Sequence, residues 1–229
     1  MKRNSSSNRD RLDVSSLAEQ ITEQVAGSSN TAASRNIRRE YSRHLKDESP
    51  GTVLDLAALL LARPAFVNRF VAYELICHHR PTLASLGKKE LEQLGAGMDC
   101  WEAVDTFACY LAGPAWRERQ VADSVIHRWA KSTDCWWRRA ALVSTVPLNN
   151  KARGGSGDTE RTLAVCRILI ADRDDMVVKA MSWALRELAK RKADAVSTFL
   201  DENVRHLAAR VVREVRNKLR TGLKNPRKK

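Results

Sequence analysis

Apolar side chains recur at helical spacing along most of this chain. In the segment 174–190 they stand at i, i+4, i+7 and i+11, which places them on one stripe of a helix. The members of that stripe are Val177, Met181, Ala184 and Leu188. No segment shows the apolar–polar alternation of a strand bounded by turns. The pattern therefore predicts an all-α protein whose folded part covers residues 13–222.

Individual residues predict where helices begin and end. Ser16 followed by Glu19 is a capping-box pattern, and Thr52 begins the next strongly apolar segment. Pro64 stands where a first-turn proline belongs, because the first helical N–H has no acceptor within the helix. The dipeptide Gly113-Pro114 predicts a break that ends the preceding helix.

Two helical segments resemble each other at a fixed spacing. Asp134 precedes the run WRRAA at 137–141, and Asp174 precedes the run VVKAM at 177–181, which is an offset of 40 residues. A period near 40 is typical of HEAT and armadillo helical pairs. We therefore expect a HEAT-like repeat solenoid of antiparallel helical pairs with a concave basic face. An irregular helical bundle with one chance similarity is the alternative.

The ends of the chain differ in composition from the folded part. Residues 1–12 are polar and predict a disordered tail, and residues 223–229 predict a basic C-terminal tail. The run Gly154-Gly155-Ser156-Gly157 lacks the Lys-Ser/Thr of a phosphate-binding loop, and its composition is that of a flexible linker.

Cysteine and histidine spacing argues against cofactors and metals. The five cysteines include no C-x-x-C pair, and the histidines show no metal-ligand spacing. No apolar run approaches the roughly 20 residues of a membrane span, and the N-terminus lacks the apolar region of a secretory signal. We expect a reduced, cytoplasmic, monomeric protein without membrane, metal or cofactor.

Positive charge is strong and concentrated in two places. The net charge is +13, and the stretch 205–229 contains ten basic residues against one acid. A second cluster near the N-terminus comprises Arg35, Arg38, Arg39, Arg43 and Lys46. Such clusters favour a polyanion, and the absence of RNA-binding aromatic motifs favours duplex DNA, hence association with the nucleoid. A solvated surface that only maintains solubility is the alternative.

Two side chains lie in unusual positions. On the helix 174–190, Trp183 projects about 130° from the centre of the apolar stripe, among charged residues. Asp105 follows Trp101 by one turn and borders an apolar face. Trp183 either packs against a neighbouring repeat or is covered by a ligand. Asp105 either pairs with Arg139 or serves a chemical purpose.

Three segments resemble the DNA alkylation repair family, which comprises alkylpurine DNA glycosylases built from HEAT-like repeats. They are Trp101-x-x-x-Asp105, WWRRAA at 136–141 and WALRE at 183–187. The resemblance covers roughly residues 55–220, while the first 50 residues match poorly. It implies a monofunctional glycosylase that removes cationic lesions such as 3-methyladenine and 7-methylguanine. It also implies that Asp105 is the catalytic carboxylate and that Trp101 and Trp183 line the lesion cleft.

The same resemblance places Arg139 at the DNA backbone near the lesion. Together with the basic clusters it leads to a set of expected DNA-contacting residues. These are Arg38, Arg39, Arg138, Arg139, Lys179, Arg186, Arg213 and Arg216. A non-catalytic helical scaffold for DNA or a protein partner is the rival hypothesis, and it predicts that Asp105 is paired to Arg139 away from any open cleft.

Overall fold

The structure is a computed structural model that describes residues 12–28 and 30–226. Helices account for its regular structure, and none of these residues lies in a β-strand, so the predicted all-α class is confirmed. No helix among them combines the length and apolar character needed to cross a membrane. Residues 1–11 and 227–229 of the two predicted tails lie outside the described residues. The single domain over 13–222 stays a prediction.

The described chain divides into two compact units, one ending at His79 and one beginning at Arg80. In the first unit α3 packs on α1 and α4, and α2 packs on α4. Its apolar residues at helical spacing, among them Ile21 and Leu56, are fully buried. The helices are α1 (Val14–Ala26), α2 (Thr31–His44), α3 (Pro50–Leu61) and α4 (Phe66–His78).

The second unit contains the remaining helices. They are α5 (Arg80–Ser85), α6 (Lys88–Gly95), α7 (Trp101–Phe107), α8 (Gly113–Arg117), α9 (Asp123–Ala130), α10 (Cys135–Val143), α11 (Val146–Asn149), α12 (Thr159–Ile168), α13 (Asp175–Ala189), α14 (Ala193–Asn203) and α15 (Ala209–Thr221). A π-helical segment, Ala108–Ala112, joins α7 to α8, and a 3₁₀ turn, Lys151–Arg153, follows α11.

Four helices of the second unit form a series. Helix α10 packs on α7 and α13, and α13 packs in turn on α15. The residues that cap the starts of these four helices are 34, 40 and 34 residues apart. Between them α9 packs on α10, α12 on α9 and α13, and α14 on α13 and α15. This succession is a repeat-type arrangement, whereas its HEAT-like character and concave basic face remain predictions.

The two aspartates that defined the 40-residue spacing do cap helices. The Asp134 side chain accepts a hydrogen bond from the backbone N–H of Trp136 at the start of α10. The Asp174 side chain accepts from Met176 and Val177 at the start of α13. Because an N-cap oxygen satisfies a donor that the helix itself cannot, each aspartate fixes where its helix begins.

Three of the predicted helix starts are wrong by a few residues. Helix α1 is capped by Asp13, whose carboxylate accepts from the backbone N–H of Ser15 and Ser16, so Ser16 lies inside the helix. Helix α3 is capped by Ser49 and not begun by Thr52. Pro64 lies two residues before α4 and outside its first turn. In the first two cases a nearer side chain reaches the free N–H groups.

The glycine-rich stretch is a packed loop and not a flexible linker. The N–H of Gly155 donates to the carbonyl of Asn150, and that of Gly157 donates to the carbonyl of Leu148. A Cβ on Gly155 would lie 2.4 Å from the carbonyl oxygen of Pro147. Glycine is therefore required here for close backbone approach, which composition alone does not distinguish from flexibility.

Candidate active site

The carboxylate of Asp105 is held at two points by one guanidinium. The Nε of Arg139 donates to Oδ1 of Asp105 at 2.9 Å, and its Nη2 donates to Oδ2 at 2.8 Å. The Asp105 side chain is 17% exposed and the Arg139 side chain is 6% exposed. The remaining Nη1 of Arg139 donates to the carbonyl of Met176 at 2.6 Å. One arginine of α10 thereby links α7 to the first turn of α13.

This pair fixes the geometry of the carboxylate and leaves it partly desolvated. Burial raises the pKa of Asp105 above its ordinary value, and the hydrogen bonds and charge of Arg139 limit that rise. A two-point arginine–carboxylate pair orients both oxygens, which a single contact does not do. Of the two interpretations of Asp105, the pairing with Arg139 is present, and it is compatible with a chemical role.

Trp101 lies one helical turn before Asp105, as the first residue of α7. Its side chain is among the few large apolar groups of the described residues that are exposed, at 49%. Residues four apart on a helix share a face, so the indole and the carboxylate project from the same side of α7. An exposed indole beside a partly buried, oriented carboxylate is an arrangement that core packing does not require.

Trp183 is partly buried on α13, one turn before the buried Glu187. Burial raises the pKa of the Cys109 thiol to about 12, and the charges of Asp105 and Glu187 both act on it. Trp183 shares the face of α13 that carries Glu187, because the two residues lie four positions apart. The thiol itself stays protonated near neutral pH and is not a nucleophile.

The helix that carries Asp105 continues where the sequence predicted a break. The N–H of Gly113 donates to the carbonyl of Ala108, five residues earlier, so the chain passes through a π turn into α8. Pro114 lies inside this continuous helix, where its ring would clash with the preceding turn of an ordinary α-helix. The wider turn admits the proline. Such turns are frequent at functional sites, and the proline within an apolar helical stripe was the available signal.

Several of the expected DNA-contacting arginines are engaged within the protein. Arg38 is buried and donates to the buried carboxylate of Glu74 at 3.1 Å. Arg138 is bonded to Asp172 at 2.7 Å and to the carbonyl of Thr133 at 2.8 Å. Arg139 is buried as described above. Their guanidinium groups support packing between elements, a partnership that helical periodicity does not reveal.

The other expected contacts are more accessible. Lys179 is half-buried and pairs with Asp175 at 2.5 Å, and Arg186 donates to the hydroxyl of Ser182 at 3.2 Å. Arg39 is exposed and bonds within its own helix, α2. Arg213 and Arg216 are exposed on α15, where Arg216 meets Asp201 at 3.4 Å.

An open cleft of about 660 Å³ lies between α14 and α15. Three arginines of α15 line this cleft at positions i, i+3 and i+7. Two of them, Arg213 and Arg216, were expected to contact DNA, and Arg220 is the third. The complete lining is Ser197, Arg213, Arg216, Asn217, Leu219 and Arg220. Three guanidinium groups on one helix face suit successive phosphates of a nucleic-acid strand.

Trp129 of α9 and Trp137 of α10 belong to packing rather than to the Asp105 site. The rings of Trp129 and Trp137 lie 4.9 Å apart, and Trp137 meets Phe107 edge-on at 6.0 Å. Trp137 also fills the space where Gly95 lacks a side chain, since a Cβ there would lie 2.5 Å from the indole. Among the described residues no group of three or more His, Cys, Asp and Glu side chains could hold a metal ion.

Comparison with known families adds an independent finding. The family model of the DNA alkylation repair enzyme matches residues 21–219. The match includes Asp105, Arg139 and both Trp101 and Trp183, and it reaches further toward the N-terminus than the resemblance read from the motifs. No curated protein matches the chain.

Proposed function

Because the chain belongs to the DNA alkylation repair enzyme family, we propose that it is a monofunctional DNA glycosylase. Its substrates are cationic alkylated purines of the 3-methyladenine and 7-methylguanine class in duplex DNA. The observation that carries the proposal is the Asp105 carboxylate, held at two points by Arg139 beside the exposed indole of Trp101.

The chemistry requires little beyond one fixed carboxylate. Alkylation makes the purine a cation, so the C1′–N bond breaks with its electron pair moving to the base, which leaves as a neutral molecule. The sugar becomes an oxocarbenium-like cation, as in glycoside hydrolysis. Water then bonds to C1′ and loses a proton. A carboxylate near C1′ stabilises the sugar cation and orients that water, and no acid has to protonate the leaving group.

Arg139 serves this chemistry by orienting the carboxylate. Without its partner the partly buried Asp105 would bind a proton more tightly, which would weaken the charge that stabilises the sugar. The exposed indole of Trp101 offers a π face to the cationic lesion or sugar, an attraction of about 0.5–2 kcal/mol. Trp183 completes the cleft from α13 in this proposal.

The DNA backbone is held by the exposed cations. Arg213, Arg216 and Arg220 on α15 supply a phosphate track, while Arg39 adds an accessible charge in the first unit. Lys179 and Arg186 lie on the same helix as Trp183 and are close enough in sequence to contact phosphates beside the lesion. Arg38, Arg138 and Arg139 contribute through packing, because each guanidinium is paired with a carboxylate inside the protein.

A non-catalytic scaffold is the second candidate. The Asp105–Arg139 pair favours it, since that pair is what a purely structural aspartate would form. The scaffold gives no reason for an exposed tryptophan one turn from the carboxylate.

Base release from methylated duplex DNA separates the two candidates. We expect wild-type protein to liberate 3-methyladenine, and Asp105→Asn to lower the single-turnover rate about 100-fold or more. The matched control is Glu102→Gln, which removes a neighbouring carboxylate of α7 and is expected to leave the rate within about twofold. DNA affinity and thermal unfolding of each variant show whether the fold is kept. Wild-type protein that binds the duplex and releases no base would establish the scaffold.

A further inference from the structure

The loop between α11 and α12 reaches back to the helix that carries Asp105. The Nη1 of Arg153 donates to the backbone carbonyl of Cys109 at 3.3 Å, within the π-helical segment. The guanidinium carbon of Arg153 lies 4.8 Å from the centre of the Tyr110 ring. In return, Arg117 of α8 donates to the backbone carbonyl of Arg153. The side chain of Arg153 thus contacts the π turn, while its backbone carbonyl is held by the helix that follows that turn.

The carbonyl that Arg153 contacts lacks its ordinary helical donors. In an α-helix the carbonyl of Cys109 would accept from the N–H of Gly113, but that N–H is bonded to Ala108. In a π turn it would accept from residue 114, which is a proline and has no N–H. A buried carbonyl without a donor is costly, so a donor from another element stabilises this particular turn.

The position of this turn links it to the candidate active site. Cys109 follows Asp105 by four residues, and the charges of Arg153, Asp105 and Arg139 all act on its thiol. A π turn contains one residue more than an α turn, so keeping or losing it changes the rotation of the helix on its two sides. Asp105 must keep its orientation about the helix axis to accept from both Nε and Nη2 of Arg139.

We propose that Arg153 is a positioning residue for Asp105: by bonding the carbonyl of Cys109 it holds the π turn, and with it the register in which Asp105 meets Arg139. The kinetic part of this inference rests on the proposed glycosylase function. The geometric part does not. The glycine-rich loop 150–158 accordingly belongs to the site as the element that delivers Arg153.

The test uses the full chain with Arg153→Ala and Arg153→Lys. The matched control is Lys151→Ala, which removes an exposed cation from the same 3₁₀ turn. Asp105 is followed by ¹³C-carboxyl NMR titration, assigned with Asp105→Asn. We expect its pKa to be higher in Arg153→Ala than in wild type, because a displaced carboxylate loses hydrogen bonds from Arg139. Arg153→Lys keeps a donor, so we expect the pKa of Asp105 in that variant to lie between those of wild type and Arg153→Ala. In Lys151→Ala we expect the pKa of Asp105 to equal the wild-type value.

The kinetic readout is the single-turnover rate of base release at saturating DNA. Arg153→Ala is expected to lower this rate about 10- to 100-fold with DNA affinity unchanged, since a small displacement of a catalytic group costs that much. Pro114→Ala provides an internal check, because it restores an N–H five residues after Cys109. In that background Arg153→Ala is expected to lose at least half of its effect on the Asp105 titration.

Each outcome separates this inference from the proposed function. If wild-type protein releases no base, the glycosylase proposal fails and the Asp105 titrations still decide the positioning role. If the pKa of Asp105 is the same in Arg153→Ala as in Lys151→Ala, the positioning role is overturned, whatever the rate of base release. If Pro114→Ala gives no recovery, the carbonyl contact is not what positions Asp105.

Discussion

Replacing Arg139 by methionine isolates the contribution of the buried guanidinium. The substitution keeps an apolar stem of similar length and removes all three hydrogen bonds, two to Asp105 and one to the carbonyl of Met176. Breaking a buried pair by removing one partner costs about 3–5 kcal/mol. Because the Asp105 side chain is 17% exposed and water can reach it, we expect the lower end, about 3 kcal/mol at pH 7.5.

The pH dependence of this loss is the sharper test. The pKa of Asp105 in the folded protein is already raised, so the fold binds the proton more tightly than the unfolded chain does. Stability then falls as pH rises from the ordinary pKa of 3.8 through the folded value. Without Arg139 the folded pKa rises further, and the fall becomes larger. At pH 4.5, less than one unit above the ordinary value of 3.8, only a small part of this fall has taken place, and we expect about 1 kcal/mol of destabilisation, mainly from the lost Met176 contact and packing.

The assay is urea unfolding of wild type and Arg139→Met at pH 4.5 and 7.5, with the free energy of unfolding extrapolated to water. The double variant Arg139→Met/Asp105→Leu removes both charges, and we expect it to recover at least half of the loss at pH 7.5. A loss under about 1 kcal/mol at pH 7.5, or one equal at both pH values, would refute the assignment of Asp105 as a carboxylate that depends on Arg139.

Two further predictions concern substrate contact. Trp101→Ala is expected to lower base release about 10-fold and to change the free energy of unfolding by less than about 0.5 kcal/mol, because the indole is 49% exposed; a large loss of stability would show that Trp101 belongs to the core. The double variant Arg213→Ser/Arg216→Ser should reduce the slope of log Kobs against log salt by about 1.8 for duplex DNA, with Lys131→Ser as an exposed-cation control. An unchanged slope would place the DNA on another surface.

The local sequence pattern was sufficient to predict those features of the helices that depend on residues close together in the chain. The stripe of Val177, Met181, Ala184 and Leu188 is buried along α13, and Asp134 and Asp174 cap their helices. These features arise from residues within one or two turns of each other, so periodicity and spacing reveal them.

The errors arose where a distant partner decides the outcome. Arg38 was predicted to contact DNA, but it is buried, because Glu74, 36 residues later, accepts a hydrogen bond from its guanidinium. The prediction of a helix break at Gly113-Pro114 was wrong. The carbonyl of Cys109, which Pro114 leaves without a backbone donor, accepts instead from Arg153, 44 residues later in the chain. Gly155 is a nearer case: the backbone that it approaches, from Pro147 to Asn149, lies only six to eight residues earlier, and the fold of the loop brings the two together.

The amino-acid sequence by itself determined an all-α, strongly basic chain with a repeating helical unit and with an aspartate and a tryptophan in unusual positions on their helices. Only the tertiary structure decided which of its charges are available. It buries Arg139 against Asp105 and Arg38 against Glu74, pairs the partly buried Arg138 with Asp172, and leaves Arg213 and Arg216 exposed. The physical reason is that a charge loses its hydration on burial and must find a partner, and that partner is supplied by another element of the fold.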